Sequence, residues 1–288
     1  MQRRLEDVSH FFFDHRGPNP SHQSPARAIQ RAERRPRIIY VGSLGHEFTV
    51  AVVVSGLATT AARLGRRVLV AETREQPFGI AFGFGFPTPR GGSPVIEAAS
   101  GLWVTPVPLL GTKRPGVLFD PLASAEWRAR ATQADLVLVQ VDVRDGSLRT
   151  PAMPIPDEYL VVAGGGATRA PSHSYRAIKR AVSSNPSLEL GLIVVGEQDE
   201  ISGRAHDKLV RAVAKFLGRQ CPVVGSVPGV SALSYAFVSG AVLREWSDEI
   251  TRAIRNIADR WAVPTGERSA SALPAGGRGE GRLCGGVG

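Results

Sequence analysis

Only two cysteines occur in 288 residues, Cys221 and Cys284. They stand far apart, one at an expected strand edge and one in a glycine-rich tail, and neither belongs to a CxxC pair. A disulfide framework and a cysteine-based zinc site are therefore excluded. Uninterrupted apolar runs are also short. None approaches the ~18 residues of a membrane span, and the opening MQRRLEDVSHFFFDHRGP offers three phenylalanines where a signal peptide needs a longer apolar stretch. The expected location is cytoplasmic. Acids are the third shortage, 26 against 35 Lys and Arg, which leaves a formal charge of +9. Much of the excess is arginine near the N-terminus: Arg3, Arg4, Arg16, Arg27, Arg31, Arg34, Arg35 and Arg37. Such a field attracts anionic partners, a nucleic acid or an acidic membrane surface. A solvated basic face accounts for the same composition and is the preferred reading.

Apolar residues make up 43% of the chain, ample for the core of one large domain. Three regions are expected. Residues 1–36 are rich in Pro, Ser, Arg and His and read as a mobile leader. Within it Leu5, Val8, Phe11 and Phe12 fall at helical spacing, suiting a short segment that docks on its own domain or on a partner. Residues 37–262 form the domain. From 263 to 288 the chain carries almost no large apolar side chains and reads as a disordered tail.

Within the domain, short β-branched runs alternate with longer helical stretches, the pattern of a parallel sheet covered by helices on both faces. Residues 37–42 read as a first buried strand and Ala51 to Leu64 as the helix behind it, ended by Gly65. Val68 to Ala71 is the next strand. Others are expected at Leu102 to Val107, Leu136 to Val141, Tyr159 to Ala163, Leu192 to Val195 and Val223 to Val227. Tyr175, Ile178 and Val182 line one helix face, and Leu209, Val213 and Phe216 another. Ile250, Ile254, Ile257 and Trp261 share one face of a last helix with arginines opposite. That helix suits packing on its own domain, the preferred reading, or a membrane or partner surface. The fold class is α/β, a doubly wound, mostly parallel sheet in three α/β/α layers. Its functional crevice belongs at the carboxyl ends of the strands, in the loops after Val41, Ala71 and Val141.

The first of those loops, VGSLGHEFTVA over residues 41–51, passes directly from strand to helix. Phosphate sites are built this way, because a helix start presents unpaired N–H groups and the positive end of its dipole. A dinucleotide site would use Gly42 and Gly45 in the turn and Glu72 on the ribose. Its third glycine is missing, however, and Phe48 fills the place where helix and strand would approach.

Residues 37–51 together with LGRRVLVAETR at 64–74 resemble the opening of MinD/ParA-type P-loop ATPases, and FlhG-type proteins in particular. In that register Gly45 stands at the family's signature lysine, Val50 at the Walker lysine and Ala51 at the hydroxyl that holds magnesium. Gly42, Gly45, Glu47, Thr49, Val50 and Ala51 are the loop positions equivalent to a nucleotide site. Valine and alanine supply neither charge nor metal ligand, and Glu47 brings a negative charge where phosphate would lie. Glu72 follows the family's second strand, with Arg74 where a water-activating acid would be. DLVLVQVD at 135–142 is similar to the Walker B strand. It has Gln140 at the acid's position, and Asp142 two residues further suits metal only if the strand shifts. Gly196 falls where the family reads the base with asparagine. The similarity of segments runs in order from Pro36 to Trp246.

The resemblance implies a P-loop NTPase-like domain whose nucleotide site is degenerate. Such a pseudo-ATPase would act as a regulator or scaffold in placing or assembling a cell-pole, flagellar, division or envelope structure. It implies no catalytic residue, no metal and no cofactor, with ATP and magnesium entering only if the site is competent after all. Partners are expected to be proteins. Peripheral contact with the inner membrane, DNA binding and homodimerisation are lesser expectations. Two alternatives stand beside this reading. One is a tyrosine kinase of polysaccharide biosynthesis, which would need a working P-loop and a C-terminal tyrosine cluster, whereas the last tyrosine is Tyr235. The other is a ParA-like nonspecific DNA binder using the arginine excess.

Overall fold

The computed structural model describes residues 35–44, 46–74, 79–86, 95–106, 108–109, 122, 124–143, 153–164, 170–196, 200–228, 230–240, 242 and 246–261. The expected docking residues Leu5, Val8, Phe11 and Phe12, the loop residue Gly45, and the glycine-rich tail lie outside the described residues.

Long runs of Val, Ile and Leu that are apolar on both faces form strands only inside a covered sheet. Such runs make up β1 (Arg37–Ser43), β2 (Val68–Glu72), β5 (Leu136–Asp142), β6 (Glu158–Gly164) and β7 (Glu189–Val195). The short β3 (Ile96–Ala99), β4 (Leu102–Val104) and β8 (Val223–Val227) complete an eight-stranded sheet in the order β3-β4-β2-β5-β1-β6-β7-β8. All neighbours run parallel except β3 and β4. The expected doubly wound α/β architecture is the one observed.

Seven helices flank the sheet among the described residues: α1 (Glu47–Arg63), α2 (Ile80–Gly83), α3 (Ala125–Gln133), α4 (Ala170–Ser184), α5 (Glu200–Leu217), α6 (Val230–Val238) and α7 (Asp248–Ala258). A 3-10 turn, Asp259–Trp261, follows the last. Strand residues alternate between two cores. Ile39, Val41 and Leu138 face α1, α2, α6 and α7, whereas Ile38, Tyr40 and Val139 face α3, α4 and α5. Every residue of α1 from Val50 to Ala61 is buried. A helix apolar all round is one enclosed on all sides, and α1 lies between the sheet and α2, α6 and α7.

The structure departs from the sequence reading in three places. Helix α1 begins at Glu47, four residues before Ala51. Strand β4 ends at Val104 rather than Val107. Thr105 still donates to Val70 O at 2.8 Å, but Pro106 has no N–H with which to continue the ladder. Phe216 does not line the core and is 68% exposed. Leu209 and Val213 are buried, and Leu217 takes the inward position one residue on. Helix α7 instead follows the preferred reading and packs on its own domain. Its apolar face does not look outward: Ile250, Ile254, Ile257 and Trp261 are all buried in the α1-side core. Gly225 on β8 admits Ile257, since a Cβ there would lie 2.3 Å from Ile257 Cγ1. The membrane or partner surface suggested for these four side chains is thus used up in packing. Among the described residues no helix is long and apolar enough to cross a membrane.

Both ends of the described chain are fastened at the start of β6. Glu158, almost fully buried, accepts hydrogen bonds from Arg37 at 2.9 Å, Arg260 at 3.2 Å and Trp261 Nε1 at 3.3 Å. Next to it Asp157 accepts from Ile38 N at 2.8 Å and pairs with Arg35. A carboxylate out of water costs several kcal/mol, by order of magnitude, unless its lone pairs are met. Three donors on Glu158 meet them.

Candidate functional site

The strand register fixes which polar side chains meet at the carboxyl edge of the sheet. Glu72 on β2 pairs with Gln140 on β5, and Gln140 in turn with Val41 on β1. Two residues further on, Asp142 is opposite Ser43. Glu72, Gln140 and Ser43 point to the α1 side because they continue the alternation of Val70, Leu138 and Val41. The sequence-predicted positions Glu72, Gln140, Asp142 and Gly42 are therefore brought together around the start of α1.

The contacts they make are largely internal. Gln140 Nε2 donates to Glu47 O at 3.0 Å, tying the first residue of α1 to β5. Glu72 accepts from Ile80 N at 3.1 Å. That bond meets an otherwise orphan donor at the start of α2. Gly79 is needed beside it, since a Cβ there would lie 2.6 Å from the Glu72 carboxylate. Thr73 N donates to Gln140 O at 2.9 Å, and Asp142 N donates to Thr73 Oγ1 at 3.2 Å. Thr73 thus staples the ends of β2 and β5 to one another.

Around α1 the loop positions divide. Glu47 and Thr49 are half-buried, whereas Val50 and Ala51 are buried among apolar side chains. Phe48 packs edge-on against Phe237 of α6, with ring centroids 5.5 Å apart. The helix start has His46 as its cap, and that side chain makes no capping hydrogen bond. Arg74 is exposed beyond the end of β2. Gly196 closes β7 with φ +108° and donates to Val227 O at 3.0 Å. An L side chain is strained at that φ, so an asparagine there would need a different backbone.

Three residues of this region escape the sequence reading: Ser43, Thr73 and Tyr159. Ser43 and Thr73 follow directly on apolar strands, and the rule that crevices lie at strand ends could have picked them out. Nothing local marks Tyr159, which packs from β6 beneath Gly42; a Cβ on that glycine would lie 2.6 Å from its Oη. Tyr159 Oη, Ser43 Oγ and Gln140 Oε1 are buried without a hydrogen-bond partner among the described residues. Burial first, and then repulsion from Asp142 and, once it ionises at high pH, from Cys221, pushes the Tyr159 phenol above its ordinary range. Burial alone pushes Cys221 up to about 12, so it is no thiolate at neutral pH. Among the described residues no group of three or more His, Cys, Asp or Glu is placed to hold a metal.

No protein-family model and no curated protein matches the sequence. The structure does resemble solved ones. MinD cell division protein from Aquifex aeolicus superposes with a TM-score of 0.57 at 17% identity, over 79% of this chain and 98% of that one. MinD from Pyrococcus horikoshii, solved with Mg-ADP, gives 0.55 at 14% identity, over 78% and 95%. A ParA family ATPase from Chlorobium tepidum gives 0.54 at 15%, over 78% and 99%. Over most of its length, this chain has the fold of the MinD and ParA ATPases.

Proposed function

We propose that the protein is a non-hydrolysing relative of MinD and ParA that works by binding other proteins, as a regulator or scaffold in placing or assembling a cell-pole, flagellar, division or envelope structure. The observation that carries this reading is the start of α1. A triphosphate with its metal needs an ammonium on the β- and γ-phosphates and a hydroxyl or acid on the ion. Val50 and Ala51 are buried among apolar side chains. Shifting the family register by one residue puts Thr49 at the lysine's place and leaves the conclusion intact, because threonine has no amine either. Gln140, at the Walker B acid's position, spends its amide on Glu47 O. Glu47 adds negative charge beside the helix start. The residues present do not fit Mg-ATP as the family holds it.

Protein partners suit this reading because fold and surface outlast the loss of a catalytic loop. MinD of Aquifex aeolicus is known in complex with MinC. A plasmid partition protein of the same fold from Borrelia burgdorferi is known bound to AMPPNP, and it marks the behaviour from which this chain is proposed to differ. A thermal-shift titration of the full chain is the test. Millimolar Mg-ATP or Mg-AMPPNP should leave the melting temperature unchanged. A ligand at 100 times its Kd stabilises by about 2.7 kcal/mol, so a saturable upward shift would overturn the reading.

A further inference from the structure

The outer flank of the sheet carries a charge pattern that the crevice does not explain. Helices α4 and α5 pack side by side over one face, burying Ala177, Ile178 and Ala181 from one and Leu209 and Val213 from the other. Their sequences hold seven Lys and Arg against two carboxylates, and α4 holds no acid. On α5 the cations fall in register. Arg204, Lys208, Arg211 and Lys215 follow at steps of four, three and four residues, which is one face of a helix. All four are exposed. At 1.5 Å rise per residue the row is about 16 Å long. Asp207, exposed beside the row, accepts from Arg211 Nε only through its backbone carbonyl, at 3.3 Å.

The row ends on an aromatic ring. Phe216 is 68% exposed, and Lys215 Nζ lies 5.4 Å from its ring centroid. A long exposed phenylalanine set beside a line of cations is what an unpaired nucleic-acid strand binds: cations follow the phosphates, and a ring offers a face to an unstacked base. A duplex keeps its bases stacked inside and has no use for the ring. An anionic bilayer draws on several apolar side chains inserted together, and this row supplies one.

We propose that the α5 face, Arg204 to Phe216, is a binding surface for single-stranded nucleic acid. The site lies apart from the crevice around α1, and the proposal stands whether or not nucleotide binds there. Fluorescence anisotropy of the full chain with a labelled oligothymidylate of about 20 nucleotides tests it. Log affinity should fall linearly with log salt, with a slope near −2.1 for the three phosphate contacts of Lys208, Arg211 and Lys215. K208Q/R211Q should bring that slope down by about 1.4. F216A should weaken binding about tenfold while leaving the slope unchanged, since stacking releases no counterions. These side chains are exposed, and circular dichroism melts unchanged from the wild type confirm folding. Three results would overturn the proposal: no binding at low salt, tighter binding to a duplex of the same length or to vesicles containing anionic lipid, or binding that both variants leave unaltered.

Discussion

Tyr159 puts a hydroxyl under the end of β1 where the described residues give it nothing to bond. An unmet buried hydroxyl costs about 1–3 kcal/mol, and a phenylalanine of the same shape removes the cost. Tyr159→Phe should therefore raise stability by about 1 kcal/mol, read as a higher urea midpoint at unchanged m-value. Gly42→Ala should lower it, because the new Cβ meets Tyr159 Oη at 2.6 Å and Val141 Cγ2 at 2.9 Å. The pair is coupled, so the double variant should lose less than Gly42→Ala alone. A Tyr159→Phe protein less stable than the wild type would falsify the claim that the hydroxyl is unpartnered. Residue by residue, the sequence shows where a polar or glycine position is odd but not what it touches. Gly42 is legible as a glycine at the end of the first strand, while the ring beneath it arrives from β6. Glu72 and Gln140 are legible as strand-end polar groups. Their work in holding α2 and α1 depends on a register that only the folded sheet defines.

At the scale of elements, α7 shows how a periodic pattern fixes a face without its mate. The spacing of Ile250, Ile254, Ile257 and Trp261 states that one face is apolar, but a membrane, a partner and the parent domain would all satisfy it. Packing against β8 at Gly225 decides the matter. Gly225→Ala places a methyl 2.3 Å from Ile257 Cγ1 and 2.8 Å from its Cδ1. Overpacking of that kind costs about 1–3 kcal/mol, and it should appear as a lowered melting temperature. Adding Ile257→Val removes Cδ1 and should restore part of the loss. If the two substitutions add independently, α7 does not sit against β8 as described. Buried strands were legible for a simpler reason: β-branched runs with no polar alternation fit only a covered parallel sheet. Strand β3, with sequence IEAA, has neither run length nor propensity, and it pairs because β4 offers it an edge.

Over the whole molecule, the doubly wound order separates three regions. The polar crevice lies at the carboxyl edge around α1, the basic row lies on the flank at α5, and the two ends of the described chain meet at the opposite edge of the sheet. Arg35 pairs with Asp157, while Arg260 and Trp261 bond Glu158. The ends are therefore neighbours, and the domain should tolerate being closed into a ring and opened elsewhere. The turn after α1 suits the new opening, because Gly65 is exposed with φ +79° and nothing lies within 4 Å of where its Cβ would be. A permutant beginning at Arg66, with residue 261 joined to residue 35 through a flexible linker of about eight residues, spans up to ~26 Å. It should keep a native circular dichroism spectrum and unfold in one transition. Joining the ends should instead prevent folding if α7 and β1 are held apart, and loss of the cooperative transition in this permutant, with other linker lengths failing too, would remove Glu158 as the clamp that brings them together.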